Sequence, residues 1–163
     1  MPVKTKMGSL AHYEKGGVEV IDDDPKHYAF SNVFEVAAQS KPYEKVCVGK
    51  NIKNVLEAIR AEGTSPWYTA SHDEAALIMD GAVEIRLVKL DLPAAREDQE
   101  GTTILEGQPK GKKMGRIVAR RGHMALLPKG SAYQFHAEQP GVILFQTLLG
   151  PLTIERWGKI CQR

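Results

Sequence analysis

His72 and Glu74 are the residues of this 163-residue chain whose types and spacing most suggest chemistry. Two positions apart in a strand, an imidazole and a carboxylate point to the same face. Neighbouring nitrogen and oxygen donors begin a site for a divalent metal ion, but such a site needs several donors converging on one point. The other histidines add little. His136 follows Tyr133 by three positions, so strand alternation sends the two to opposite faces; His123 stands at a strand start, and His12 and His27 fall in the N-terminal region. No self-contained metal site is therefore expected. A Glu74 buried without metal needs a partner, because an unpaired buried carboxylate is costly and takes up a proton instead. Tyr133, His72 or a nearby arginine is expected to hydrogen-bond it. Trp67 and Tyr68 form an aromatic pair directly after Ser65 and Pro66. Such side chains either fill core or offer a pocket wall with a polar tip.

Other catalytic signatures are absent: there is no G-x-S-x-G elbow, no P-loop and no dinucleotide fingerprint. The 22 basic residues nearly match the 20 acidic ones, leaving a net charge of +2. Strong nucleic-acid binding would need a local patch, and the basic run Lys110–Arg121 lacks the interleaved aromatics of a single-strand binder. Cys47 and Cys161 lie far apart without a CxxC pair, which points to buried free thiols and not to a zinc knuckle. The N-terminal residues carry no apolar run, and no segment approaches a bilayer-spanning length. A cytoplasmic protein without a membrane partner is expected.

The elements that would position these residues are mostly strands. Residues 1–28 read as a loose arm with turn chemistry at Gly16-Gly17 and Asp22–Pro25 and a short strand at Val18–Ile21. Ala29–Ala37 fits either a strand or a helical turn. In Asn51–Ala61, Ile52, Val55, Leu56 and Ile59 match a helical template, yet the surrounding pattern favours a strand. Ala75–Met79, Asp80-Gly81 and Ala82–Val88 read as a hairpin, since Asp-Gly between apolar runs is a strong turn signal. Further strands follow at 115–119, 123–127, 132–136 and 141–149, and Ile154–Ile160 reads as a docking segment anchored by Trp157. Regular short strands of this kind imply a sandwich or barrel. Leu92–Lys113 is a long charged connection, either a solvated loop or an arm that covers a site.

The spacing from Val55 to Leu149 resembles the cupin superfamily. Gly122, Pro128 and Gly130 fit its second motif, G-x5-P-x-G-x2-H, with Tyr133 where the motif has its metal-binding histidine. Glu74 and Gly81 fit the E-x6-G end of the first motif, but both upstream histidines are missing; their places fall among Trp67, Tyr68, Thr69 and Ala70. The trailing asparagine position holds Ala137, so one of four usual ligand positions survives. The chain further resembles the small subunit of two-subunit hydroquinone dioxygenases, in the stretches 41–46, 60–68, 71–74 and 122–128.

The resemblance implies an all-β cupin fold, a double-stranded β-helix or jelly-roll barrel, with an N-terminal arm at 1–28, a cupin domain at 29–163 and a charged inter-motif loop. It implies a larger cupin subunit that holds Fe(II) and cleaves a small aromatic substrate, hydroquinone, with O2. This chain would pair with that subunit in an α2β2 assembly and hold no metal of its own. Trp67 and Tyr68 become candidates for a substrate-pocket wall or interface, and His72, Glu74 and Tyr133 for polar groups in the lumen. Two other readings stand beside this one: a stand-alone cupin metalloenzyme built on His72 and Glu74, and a non-catalytic ligand-binding cupin.

Overall fold

Short apolar-polar alternations interrupted by glycine and proline become ten strands and two short helices in the computed structural model, which describes residues 6–161. Among its described residues the arm has neither helix nor strand before a 3-10 turn at Pro25–Tyr28, so Val18–Ile21 is not a strand. It is nonetheless tied down: the Leu10 N–H donates to Asp80 Oδ2 at 2.8 Å, and Asn32 Nδ2 donates to the Glu14 carbonyl at 2.7 Å. The ambiguous segment after the arm resolves as α1, Val33–Ala38, whose N-terminus is capped by the Asn32 side chain accepting from the Phe34 N–H.

β1 (Lys45–Asn51) and β2 (Asn54–Thr64) form a hairpin, so the helical template in this region is overridden. The reason is long-range. β2 also pairs along most of its length with β9 (Ser131–Leu148), an 18-residue strand that unites the two strands expected at 132–136 and 141–149. β9 is the spine of the molecule. On one edge it carries β2 and then β3 (Trp67–Thr69); on the other it carries β4 (Glu74–Asp80) and then β5 (Ala82–Leu90). β6 (Thr103–Leu105) pairs with β3, β7 (Gly111–Arg120) with β5, and β8 (Met124–Leu127) with β4. The stretch Leu92–Lys113 is thus not wholly a loop, since it contains β6 and the start of β7. β10 (Thr153–Ile154) lies parallel to β1, and α2 (Trp157–Ile160) docks Ile160 into a small cluster with Val36, Val46 and Ala58.

The expected hairpin at Asp80-Gly81 is replaced by a corner. β4 and β5 do not pair with each other; both pair with β9, Ala75 opposite Gln146 at one end and Lys89 opposite Ser131 at the other. Only Gly81 separates the two strands, one residue fewer than the shortest common hairpin loop. Gly81 has φ +77°, and a Cβ there would stand 3.0 Å from Gly141 Cα, where β9 bends at Pro140-Gly141. Two strands therefore turn together and curl the sheet around one core, which includes Ile59, Ile78, Ile85, Leu127, Phe135, Ile143 and Phe145. Cys47 and Cys161 are buried free thiols, and burial pushes the Cys47 thiol up to about 11. Among the described residues, no helix is long and apolar enough to cross a membrane.

The corner yields a direct test. Gly81→Ala should lower stability by about 1–3 kcal/mol in urea unfolding, because alanine meets both a left-handed φ and a facing backbone. Ala82→Gly, one residue away, should cost less; equal losses would refute the corner as the cause.

Candidate functional site

Inside the curled sheet, the inward positions of β4 and β9 bring Glu74, Tyr133 and Thr147 to one end of the core. Glu74 is 2 % exposed. Its Oε1 accepts from the Tyr133 hydroxyl at 2.6 Å. Its Oε2 accepts from Thr147 Oγ1 and Thr102 Oγ1, each at 2.5 Å. Three hydroxyl donors on one carboxylate are charge-assisted bonds, the strong kind in a dry interior. Burial, and then the facing Glu74 charge, push the Tyr133 phenol well above its ordinary value, so it stays a proton donor. Thr102 comes from the segment between β5 and β6, so part of the long charged connection reaches in to complete the set.

His72 lies near this cluster but does not join it. β4 begins at Glu74, so strand alternation does not extend back to residue 72. The ring instead pins the same segment: His72 Nε2 accepts from the Gly101 N–H at 2.9 Å, and Nδ1 lies 3.1 Å from the Asp73 carbonyl. Both ring nitrogens are thereby engaged, with Nδ1 as the protonated one, and no lone pair is left for a metal. The other histidines are scattered. His136 meets Thr64 Oγ1 at 2.7 Å, His123 Nδ1 accepts from the Arg120 N–H at 3.0 Å, and His27 faces Asp23 at 2.8 Å. Among the described residues, no three His, Cys, Asp or Glu side chains are grouped to hold a metal ion. A ferrous ion does not fit this barrel, because the one carboxylate at a motif position is already filled by hydroxyl donors.

Deeper in the barrel is a cation that sequence reasoning missed. Lys45 and Glu57 are 2 % and 0 % exposed, with Lys45 Nζ 3.7 Å from Glu57 Oε1. The ammonium also sits 3.9 Å from the Phe145 ring centroid and 4.9 Å from that of Tyr68, a cation–π arrangement. Burial lowers the Lys45 pKa against the pull of Glu57 and then Glu74; burial raises Glu57 against the pull of Lys45. For each partner desolvation outweighs attraction, so the pair costs stability relative to an apolar filling. A signal did exist. Read as a strand, β2 puts Glu57 between Val55 and Ile59 on one inward face; the helical template hides this by placing Glu57 away from the apolar stripe.

Trp67 and Tyr68 part company, as neighbours in a strand must. Tyr68 is buried, its ring 5.7 Å from Tyr133 and 6.3 Å from Phe135. Trp67 stays on the outer surface, where with Arg86, Pro109, Lys113 and Arg116 it lines a groove of about 620 Å3. Thus Glu74 and Tyr133 meet in the lumen, His72 stays at its margin, and Trp67 alone of the aromatic pair is open to a visitor.

Fold and lumen together define a cupin barrel whose interior is closed by its own side chains. A cupin-2 domain protein from Shewanella frigidimarina shares the fold, with TM-score 0.52 and 17% identity over 76% of this chain and 98% of that one. Much nearer is the structure of hydroquinone 1,2-dioxygenase from Sphingomonas sp. TTNP3 with 4-hydroxybenzoate bound: 57% identity, TM-score 0.92, and coverage of 99% of this chain and 98% of that chain. Hydroquinone 1,2-dioxygenase PnpCD, in complex with Cd2+ and 4-hydroxybenzonitrile, matches at 53% identity and TM-score 0.91 over 99% of this chain and 98% of that one. This chain belongs to the hydroquinone 1,2-dioxygenase family, ring-cleaving dioxygenases, and corresponds to the small subunit. A longer chain of PnpCD, in its complex with Fe3+, shares the fold at 11% identity and TM-score 0.59; this chain covers 43% of it. No protein-family model and no curated protein matches the chain.

Two stability measurements probe the lumen. Tyr133→Phe removes one donor from a buried carboxylate and should cost about 1–3 kcal/mol in denaturant unfolding. Lys45→Met alone should cost about 3–5 kcal/mol by stranding Glu57, whereas Lys45→Met with Glu57→Leu should return close to wild type. A double variant no better than the single one would show that the pair does not act as a pair.

Proposed function

We propose that this chain is the metal-free partner in a dioxygenase whose larger cupin subunit holds Fe(II). The reaction would open hydroquinone beside a hydroxyl with O2, giving 4-hydroxymuconic semialdehyde. The observation that carries the reading is the closed lumen. Glu74 is consumed by Tyr133, Thr102 and Thr147, and the facing Lys45 and Glu57 side chains fill the space deeper in. With those donors taken up, the described residues offer no ligand set for a metal, which supports placing the chemistry on another chain. A longer chain of the same fold in the PnpCD complex supports a larger partner, and an α2β2 assembly is the form proposed.

This chain's own part is to shape and cover. Trp67 is the candidate that reaches substrate or partner, since it is half-buried on the outer surface and lines a groove. Tyr68 supports it from inside by packing on Tyr133. The folding unit proposed is 29–163, preceded by an arm at 1–28 whose described residues are tied to it through Leu10 and Glu14. Two buried free thiols fit a reducing, cytoplasmic setting.

The test is to purify the chain alone and together with the larger subunit, then measure iron and oxygen uptake on hydroquinone. The chain alone should carry no stoichiometric iron and no activity, and the pair should carry both. Iron held by the isolated chain and lost on His72→Ala would favour the stand-alone metalloenzyme instead. In the active pair, Trp67→Ala should lower turnover or assembly by about tenfold or more; wild-type kinetics in an intact complex would remove Trp67 from the site.

A further inference from the structure

β7 is an edge strand of ten residues that pairs with β5 and, among the described residues, with no other strand. An open edge of that length displays a row of backbone donors and acceptors, a template for another strand. Its side chains are exposed on both faces from Gly111 to Arg116. Met114 and Val118, apolar and about half exposed at 48 % and 52 %, sit among the charges.

The charge on this strand is one-sided. From Gly107 to Ala137 the chain has seven lysines and arginines and no acidic residue, although its net charge is only +2. Two of the cations find acids elsewhere: Arg116 approaches Glu84 at 3.5 Å and Arg121 meets Asp80 at 2.9 Å. Lys112, Lys113 and Arg120 form no ion pair among the described residues. Lys112 stands directly opposite Lys89, and Arg116 opposite Arg86, although Glu84 contacts both arginines. Like charges facing across a ladder oppose pairing. The Lys89–Lys112 juxtaposition thus works against the chain's own fold without a compensating internal contact.

We infer that the outer edge of β7 receives an extended, acidic segment of the larger subunit as an added strand. This rests on the partner reading above. A second copy of β7 is a poor occupant, because two basic strands would repel along their whole length. An acidic strand satisfies the free backbone groups and the unpaired cations at once, and pockets beside alternate side chains supply specificity. The groove with Trp67 and Pro109 is walled on one side by β7 itself, through Lys113 and Arg116. An apolar side chain on the incoming segment would lodge there.

The test uses Lys112→Glu/Lys113→Glu, which places a glutamate opposite Lys89 and so does not weaken the fold. In sedimentation velocity of the chain with the larger subunit, the double variant should assemble about tenfold more weakly than wild type at low salt. The gap should narrow in about 0.5 M salt. Hydrogen exchange of amides 111–118 should slow in the wild-type complex. Equal assembly of wild type and variant, with unchanged exchange over 111–118, overturns the inference. If the wild-type chain does not assemble with the larger subunit, it is the partner reading that fails. The edge is then judged with a labelled peptide of about ten residues alternating glutamate and valine, and with single-stranded DNA of about 20 nucleotides. Peptide binding lost in the double variant upholds an acidic-strand site. Absence of peptide binding, or tighter binding of DNA, overturns it.

Discussion

A carboxylate shut inside a protein must be answered by donors, and the Glu74 carboxylate organises one end of this barrel for that reason. Its donors come from three distant parts of the chain: Thr102 before β6, Tyr133 early in β9 and Thr147 late in β9. Satisfying the charge therefore fixes where the β5–β6 connection enters and how the two halves of β9 face β4. The Gly101 N–H, adjacent to Thr102, is held by His72, and Gly101 has φ +82° at a place where a Cβ would meet the Gly150 backbone. The charge, the loop and the glycines form one unit.

The same constraint explains why a fold that elsewhere surrounds a metal can do without one. A metal ion gathers ligands by its charge. Here the gathering is done by hydroxyl protons at one end, and the Lys45 side chain deeper in is bedded on Phe145 and Tyr68. Aromatic side chains fill what remains: Tyr133, Phe135 and Phe145 lie with ring centroids 5.4–6.3 Å apart. A barrel so filled keeps its shape through close packing of its own side chains.

How far the fold was legible depended on the range of the forces involved. Gly122 and Gly130, at φ +88° and +80°, occupy turns that need glycine, so motif spacing alone located them. Glu74 was found by the same spacing, and the cost of a buried charge called for a partner among Tyr133, His72 and the arginines, of which the structure supplies Tyr133. Thr102 and Thr147 were not found, since nothing local marks a threonine as inward. Lys45 was missed because lysine at a strand start reads as solvated; only the register with β2 shows it beneath the sheet. Asp80-Gly81 misled because the turn chemistry is real, but the bend it serves is set by Gly141, some sixty residues away along the chain. His72 was placed in the lumen by an alternation that starts two residues later.

The order of the strands also shapes how the molecule is made. β9 follows β2, β3, β4 and β5 in sequence, yet it is the ladder on which all four are hung. Until residues 131–148 emerge, those strands lack their central neighbour, and the β1–β2, β3–β6, β4–β8 and β5–β7 ladders are the pairings within reach. Such non-local pairing slows folding and leaves open edges waiting in the interval. The late, bent spine thus links the geometry of the barrel to the timing of its assembly.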